Sequence, residues 1–153
     1  MLIKRILVPV DFSPRSRQAL RYAVEFARSS QAEIIALHVV PPPSRARVAT
    51  LAYLHQPLPH APRSRVAHAQ VELGAMVSSI DHQGIAIDER IEAGDPTATT
   101  VQVATEERSD LIILGTRGRH GVADFLLGSV AKSLVDCAPC PVLTLHPSAP
   151  TLL

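Results

Sequence analysis

The chain alternates short apolar runs with segments of helical periodicity, and this alternation limits the folds it can adopt more than any other feature. The run from Ile34 to Val40 is apolar at nearly every position, as in a strand of a parallel sheet covered on both faces. The predicted strands are Ile6 to Val10, Glu33 to Val40, a strand containing Ile85, Ile87 and Ile91, Asp110 to Leu114, and Val142 to Leu145. The pattern predicts a single-domain α/β fold, an open, doubly wound, Rossmann-like parallel sheet of five strands in the order 3-2-1-4-5 with helices on both faces.

Three of the predicted helices carry recognisable start signals. Ser13 and Asp95 are each followed by proline, which fits an N-cap followed by the first helical residue. Ser129 follows Gly128 and opens a stretch with apolar residues at helical spacing, so we predict Ser129 as an N-cap as well. A serine at the positive end of a helix dipole, beside free N–H groups, is a natural phosphate site.

The segment from Gly115 to Ser129 is punctuated by glycines and directly follows the apolar run that ends at Leu114. Glycine allows positive φ and a close approach of backbone N–H groups to an anion, and Arg117 and Arg119 add positive charge. We therefore predict a phosphate-binding loop. The alternative is a glycine-rich turn that only reverses the chain, because such turns after strands are common.

The end of the first strand supplies a second part of the same site. In a 3-2-1-4-5 sheet the ligand crevice lies beyond the carboxyl ends of strands 1 and 4, and Asp11 and Gly115 follow those two strands. A carboxylate there can accept hydrogen bonds from ribose hydroxyls while the glycine loop holds phosphates. The alternative for Asp11 is a purely local role on the N–H groups of the first helical turn.

Composition excludes several classes of protein. The chain has 153 residues and a net charge of +1, which gives no indication of a nucleic-acid partner. No apolar run approaches the roughly 20 residues needed to span a bilayer, so we expect no membrane partner and a cytoplasmic location.

Two cysteines, Cys137 and Cys140, form a Cys-x-x-Cys pair. A redox pair normally begins a helix, where the dipole lowers a thiol pKa, whereas this pair follows the helical run. A zinc site would need two more ligands, and His146 is the only nearby candidate. The position therefore favours a structural role over redox or metal chemistry.

Residues 44 to 65 contain three prolines, four arginines and two histidines but no acidic residue. We predict a long, mildly basic loop here. Loops of this length in compact domains often bind partners or cover a site, and the alternative is a simple surface insertion.

The glycine segment also matches a known family pattern. Gly115, Gly118, Gly128 and Ser129 follow, without a gap, the spacing of a glycine, two residues, a glycine, nine residues, then glycine and serine or threonine. In this motif the chain resembles the universal stress protein family, in its ATP-binding branch. The resemblance extends to Ile6–Asp11, Gly94–Pro96, Asp110–Gly115 and Cys140–Leu143.

The resemblance implies a set of ligands for ATP. Pro9, Val10 and Asp11 would border adenine and ribose, and Val39 would flank the base. Leu114, Gly115, Arg117 and Gly118 would line the ribose and phosphates. Gly128, Ser129 and Val130 would hold the phosphate chain, with a divalent ion, expected to be Mg²⁺, on the phosphates. Asp124, an acid within the loop, departs from the commonest family form.

The resemblance further implies a universal stress protein domain over residues 1–147. The long loop within it, at 41–65, departs like Asp124 from the commonest family form, and we predict a C-terminal tail at 148–153. Members of the family commonly form homodimers through the last strand, here Val142 to Leu145. We expect an ATP-dependent regulatory module of the stress response with unknown protein partners. The alternatives are a dimeric scaffold without bound nucleotide and a slow ATPase, for which His38 or His120 would have to act as acid or base.

Overall fold

In the computed structural model, which describes residues 2–43, 53–54, 63–116 and 128–145, strands and helices alternate along the chain. The strands are β1 (Arg5–Pro9), β2 (Glu33–Val40), β3 (Ile87–Ala93), β4 (Leu111–Gly115) and β5 (Val142–Leu145). The helices of the described residues are α1 (Pro14–Ser30), α2 (Arg63–Ser78), α3 (Pro96–Glu106) and α4 (Ser129–Cys137).

All strand pairs are parallel, and the sheet order is β3-β2-β1-β4-β5. This confirms the predicted fold class and strand order. The bounds differ in two places. The third strand begins at Ile87, although Ile85 packs on the same side of the sheet as Ile87 and Ile91. Helix α2 begins at Arg63, so the end of the predicted 41–65 loop is helical.

The core lies in two layers because side chains alternate between the faces of a strand. In β1, Ile6 and Val8 pack under α1 and α2, whereas Leu7 packs under α3 and α4. All three side chains are fully buried. The continuous apolar character of the central strands thus follows from burial on both faces.

Local capping chemistry fixes the starts of α1 and α3. Ser13 Oγ accepts a hydrogen bond from the Ser16 N–H at 3.1 Å, and Asp95 Oδ1 accepts one from the Ala98 N–H at 2.8 Å. Pro14 and Pro96 occupy the first helical positions, as predicted. Both helices therefore begin directly after a strand, at the carboxyl edge of the sheet.

The same capping prediction is wrong for α4. Gly128 is its N-cap, with φ −57° and ψ 154°, and Ser129 is the first helical residue. The Gly128 carbonyl accepts a hydrogen bond from the Lys132 N–H at 2.9 Å, which is the first turn of the helix. Glycine takes the cap position although it offers no side-chain acceptor for the N–H groups that follow.

Within the residues that the structure describes, no helix is long and apolar enough to cross a membrane. The predicted tail at 148–153, residues 44–52 and 55–62 of the predicted loop, and residues 117–127 of the glycine segment lie outside the described residues.

Candidate functional site

The sheet order reverses between β1 and β4, which pair directly through Ile6 with Leu111 and Leu7 with Ile112. Parallel doubly wound sheets bind ligands beyond the carboxyl ends of such a pair. Asp11 follows β1, and Gly115 is the last residue of β4. The fold therefore brings these two predicted site residues to the same edge.

The turn after β1 fixes the position of Asp11. Its Oδ1 accepts a hydrogen bond from the Ser13 N–H at 3.1 Å, and Ser13 in turn caps α1. This is an Asx-type turn, in which a carboxylate replaces a backbone acceptor two residues away. One oxygen of the Asp11 carboxylate thus has the local role that the sequence analysis gave as the alternative to ribose binding. Its donor is the N–H of the N-cap residue Ser13, not an N–H of the first helical turn.

Phe12 lies in the centre of this turn with φ +62°, a left-handed conformation that a bulky side chain rarely adopts. The conformation costs about 1–2 kcal/mol. The Phe12 ring packs against the core on the α1 side and stacks on His38, with ring centroids 4.2 Å apart and an angle of 28° between the planes. Sequence analysis missed Phe12 because nothing in its residue type signals positive φ.

We expect Phe12→Gly to be more stable than Phe12→Ala by about 1 kcal/mol, because both lose the ring but only alanine keeps the left-handed strain. Thermal unfolding of the two variants checks this, with a difference of about 2–4 °C for a chain of this size. An alanine variant at least as stable as the glycine variant would contradict the left-handed conformation.

The predicted base-contacting residues lie on both faces of the sheet. The Val10 side chain is buried on the α1 side, whereas Val39 is buried on the opposite side in the same cluster as Leu114. The Val10 N–H donates to the Leu37 carbonyl at 2.8 Å, and Pro9 has no N–H. Because the side chains of Val10, Val39 and Leu114 are buried, a ligand can contact mainly their backbone atoms at the strand ends and the edges of the side chains.

Gly115 has a packing role that the sequence analysis did not predict. Its φ lies outside the left-handed range, so positive φ does not explain the glycine. A Cβ at this position would lie 2.9 Å from Arg15 Cβ and 3.0 Å from the Arg15 carbonyl oxygen. The glycine allows the end of β4 to contact the backbone of the first turn of α1.

The two ends of the glycine segment are held together. The Gly128 N–H donates to the Thr116 carbonyl at 2.7 Å, and both the Thr116 N–H and its Oγ1 donate to the Leu145 carbonyl, at 3.2 Å and 3.1 Å. The N-cap residue of α4 is therefore anchored beside the end of β4. The predicted ligands Arg117 and Gly118, with Arg119, His120 and Asp124, lie outside the described residues.

The start of α4 differs from those of α1 and α3. No side chain makes a capping hydrogen bond there, whereas Ser13 caps α1 and Asp95 caps α3; like theirs, its first turn contains no acidic residue. Ser129 is exposed and Val130 is half-buried. The N-terminal N–H groups of a helix carry partial positive charge, so this end of α4 has the chemistry of an anion site.

The Cys140 thiol has the environment of a structural cysteine. Burial, and secondarily the charge of Asp110, raises the pKa of the Cys140 thiol, whereas a reactive cysteine needs a lowered pKa. Cys137 is exposed at the end of α4. Across the described ranges, no group of three or more His, Cys, Asp or Glu side chains is arranged to hold a metal ion.

The sequence model of the universal stress protein family matches residues 2–146 of this chain. The chain belongs to the universal stress protein family. The family motif that Gly115, Gly128 and Ser129 share thus falls at the edge where β4 ends and α4 begins.

Individual relatives cover nearly the whole chain. A universal stress protein of Thermus aquaticus is 30% identical over 145 residues, which cover 93% of this chain and 98% of the relative. Universal stress protein MJ0531 of Methanocaldococcus jannaschii is 29% identical over 148 residues, covering 93% of this chain and 81% of that protein.

Solved structures agree with the fold. The structure of protein MJ0577 of Methanocaldococcus jannaschii has a TM-score of 0.79 at 25% identity and covers 98% of this chain and 100% of its own. A universal stress protein of Archaeoglobus fulgidus in complex with dAMP has a TM-score of 0.65 at 24% identity, covering 94% of this chain and 98% of its own. A universal stress protein in complex with cAMP has a TM-score of 0.67 at 24% identity, covering 97% and 100%.

Proposed function

We propose that this universal stress protein binds ATP at the carboxyl edge of β1 and β4 and works as a nucleotide-dependent regulatory module of the stress response. The observation that carries the proposal is the start of α4, where no side chain caps the helix, anchored through Gly128 and Thr116 beside the end of β4. Phosphates are the natural ligands of such a helix terminus.

The residues proposed to bind the nucleotide are described in order from the base to the phosphates. Pro9, Val10 and Val39 border the base, and Asp11 accepts hydrogen bonds from the ribose hydroxyls. Leu114, Gly115, Arg117 and Gly118 line the ribose and phosphates, and Gly128, Ser129 and Val130 contact the phosphate chain. Mg²⁺ would be held chiefly by phosphate oxygens, because the described residues provide no cluster of metal ligands.

Solved structures that share this fold support adenine nucleotides as the class of ligand. Two proteins with this fold hold the adenine nucleotides dAMP and cAMP. ATP, rather than a monophosphate, is favoured here by the longer phosphate chain that a glycine segment and a helix N-terminus together can contact. A cytoplasmic location stays a prediction.

A regulatory role fits the chemistry better than rapid ATP hydrolysis. The glycine segment lacks the lysine of a Walker-type loop. His38, one of the two histidines considered as acid or base, uses Nδ1 on the Val10 carbonyl at 2.8 Å. We propose at most slow hydrolysis, with ATP acting by changing which protein partners are bound.

The test is calorimetric titration of nucleotide-stripped protein with ATP and Mg²⁺. Ser129→Ala is expected to weaken binding about tenfold or more, because a hydrogen bond to a charged group contributes about 1.5–3 kcal/mol. Ser133→Ala is the matched control, since Ser133 is an exposed serine of the same helix, one turn farther from its start.

Unchanged affinity for ATP in the control, together with a clear loss in Ser129→Ala, would support the site. Equal affinities in the wild type and both variants would contradict the role of Ser129. Absence of saturable ATP binding by the wild type, with no nucleotide co-purifying by mass spectrometry, would favour the second candidate function.

That second candidate is a dimeric interaction scaffold. The observation that favours it is β5, an edge strand of four residues whose Val142 and Leu143 side chains remain half-buried. We propose a homodimer through this strand in either case. That the dimer binds protein partners, and that some of them contact the 44–65 segment, stays a prediction. The partners themselves are unknown.

A further inference from the structure

His38 contacts both sequence neighbours of Asp11. Its ring stacks on Phe12, and its Nδ1 lies 2.8 Å from the Val10 carbonyl oxygen. A carbonyl oxygen can only accept a hydrogen bond, so Nδ1 carries the proton in this contact. The His38 imidazole, on β2, thus contacts the carbonyl of the residue before Asp11 and the ring of the residue after it.

The residue that His38 holds by its ring is the strained one. Phe12 has φ +62°, and a bulky residue keeps such a conformation only where its surroundings fix it. The left-handed Phe12 is also what places Ser13 where its N–H reaches Asp11 Oδ1 and its hydroxyl caps α1. Loss of the contacts to His38 would allow the turn to relax and Asp11 to reorient.

We propose that His38 is a positioning residue for Asp11: through the Val10 carbonyl and the Phe12 ring it holds the carboxylate in the orientation that receives the ribose hydroxyls of the nucleotide. This inference rests on the proposed ATP site and assigns His38 a role outside catalysis. Its consequence is that His38 contributes to recognition of the ribose without touching the ligand.

Two variants separate the two contacts of His38. His38→Phe keeps an aromatic ring to stack on Phe12 but has no donor for the Val10 carbonyl. His38→Asn keeps an N–H donor but has no ring. His68→Phe is the matched control, because His68 lies exposed on α2.

The ligands for the test are ATP and 2′,3′-dideoxy-ATP, whose ribose has neither hydroxyl. We expect the wild type to prefer ATP about tenfold, because hydrogen bonds to a carboxylate are among the stronger ones. Asp11→Ala should remove this preference. Both His38 variants should lower it at least threefold with little change in affinity for dideoxy-ATP, and His68→Phe should keep it. In the Asp11→Ala background, His38→Phe should have no further effect on the preference.

A preference that Asp11→Ala removes but both folded His38 variants keep would overturn the inference and leave the ATP site intact. Absence of ATP binding by the wild type would instead overturn the proposed function, and the ribose role with it.

A measurement without nucleotide examines the contacts themselves. In ¹H–¹⁵N spectra the Ser13 amide reports its hydrogen bond to Asp11. This resonance should shift in His38→Phe and also in His38→Asn, because each variant loses one of the two contacts that hold the turn. An unchanged Ser13 resonance in both variants would overturn the positioning role.

Discussion

Gly115→Ala is expected to destabilise the protein by about 1–3 kcal/mol, and Gly115→Val by more. The added Cβ would lie 2.9 Å from Arg15 Cβ and 3.0 and 3.1 Å from the Arg15 carbonyl oxygen and carbon. Two of these three atoms belong to the backbone of α1, which cannot rotate away as a side chain can. The end of β4 and the start of α1 would have to separate.

Denaturant and thermal unfolding measure this effect, and each kcal/mol corresponds to about 2–4 °C in the midpoint for a chain of this size. Gly84→Ala is the informative comparison. Gly84 has φ +78°, but a Cβ there would have no atom within 4 Å, so its substitution costs only conformational strain of about 1 kcal/mol. Gly115→Ala with wild-type stability would contradict the close contact between β4 and α1.

The packing at Gly115 changes how binding experiments should be interpreted. A valine at this position would reduce ATP binding whether or not the glycine contacts the nucleotide, because the edge that forms the site would be distorted. Ser129 is the better probe, since it is exposed and makes no capping hydrogen bond. The same glycine thus fits the family motif and also has a packing role in the fold.

The strands were predictable because burial determines their apolar pattern, and their order because the alternation of strands and helices is typical of a doubly wound sheet. Ile34 to Val40 is nearly continuously apolar, and β2 lies second from the sheet edge with most of its side chains buried. The caps at Ser13 and Asp95 were predictable for a similar reason, since a short polar side chain followed by proline has one common local structure. Local chemistry and global fold agree at these positions.

The details of the site were less predictable because they depend on contacts distant in sequence. The left-handed Phe12 stacks on His38, which lies on β2, and the need for glycine at 115 comes from the close approach of Arg15. Ser129 was predicted as a cap because its residue type favours that position, but the bond from Gly128 to Thr116 places the cap one residue earlier. Tertiary contacts determined each of these outcomes.

The two edges of the sheet differ in their suitability for pairing with a second copy. The edge strand β3 carries Asp88, Arg90 and Glu92, and Arg90 is bonded to Glu92 at 2.7 Å and to Glu107 at 2.8 Å. Charged side chains on an edge strand oppose edge-to-edge association. The other edge, β5, has the sequence Val-Leu-Thr-Leu and no charged side chain. If a dimer forms through an edge, β5 is therefore the favoured one.

The backbone groups of β5 divide between the two sides of the strand. Pro141 and Leu145 carbonyls accept hydrogen bonds from Ile112 and Thr116, so they face β4. Successive residues of a strand direct their backbone groups to opposite sides, and those of Val142 and Thr144 therefore face outward. A symmetric dimer would pair these outward groups with the same groups of the second copy, in antiparallel orientation.

Thr144→Pro is accordingly expected to convert the proposed dimer into a folded monomer. Proline removes the outward N–H of Thr144 but no hydrogen bond to β4. In a twofold symmetric dimer both copies carry the substitution, so two intermolecular hydrogen bonds are lost. At about 1 kcal/mol for each lost hydrogen bond, the dissociation constant should rise at least about 30-fold. Leu143→Pro is the control, because it removes an N–H that faces β4 and should destabilise the fold itself. Sedimentation equilibrium gives the oligomeric state, and thermal unfolding gives the stability. A Thr144→Pro variant that remains dimeric would place the interface elsewhere. A monomeric wild type would exclude the dimer.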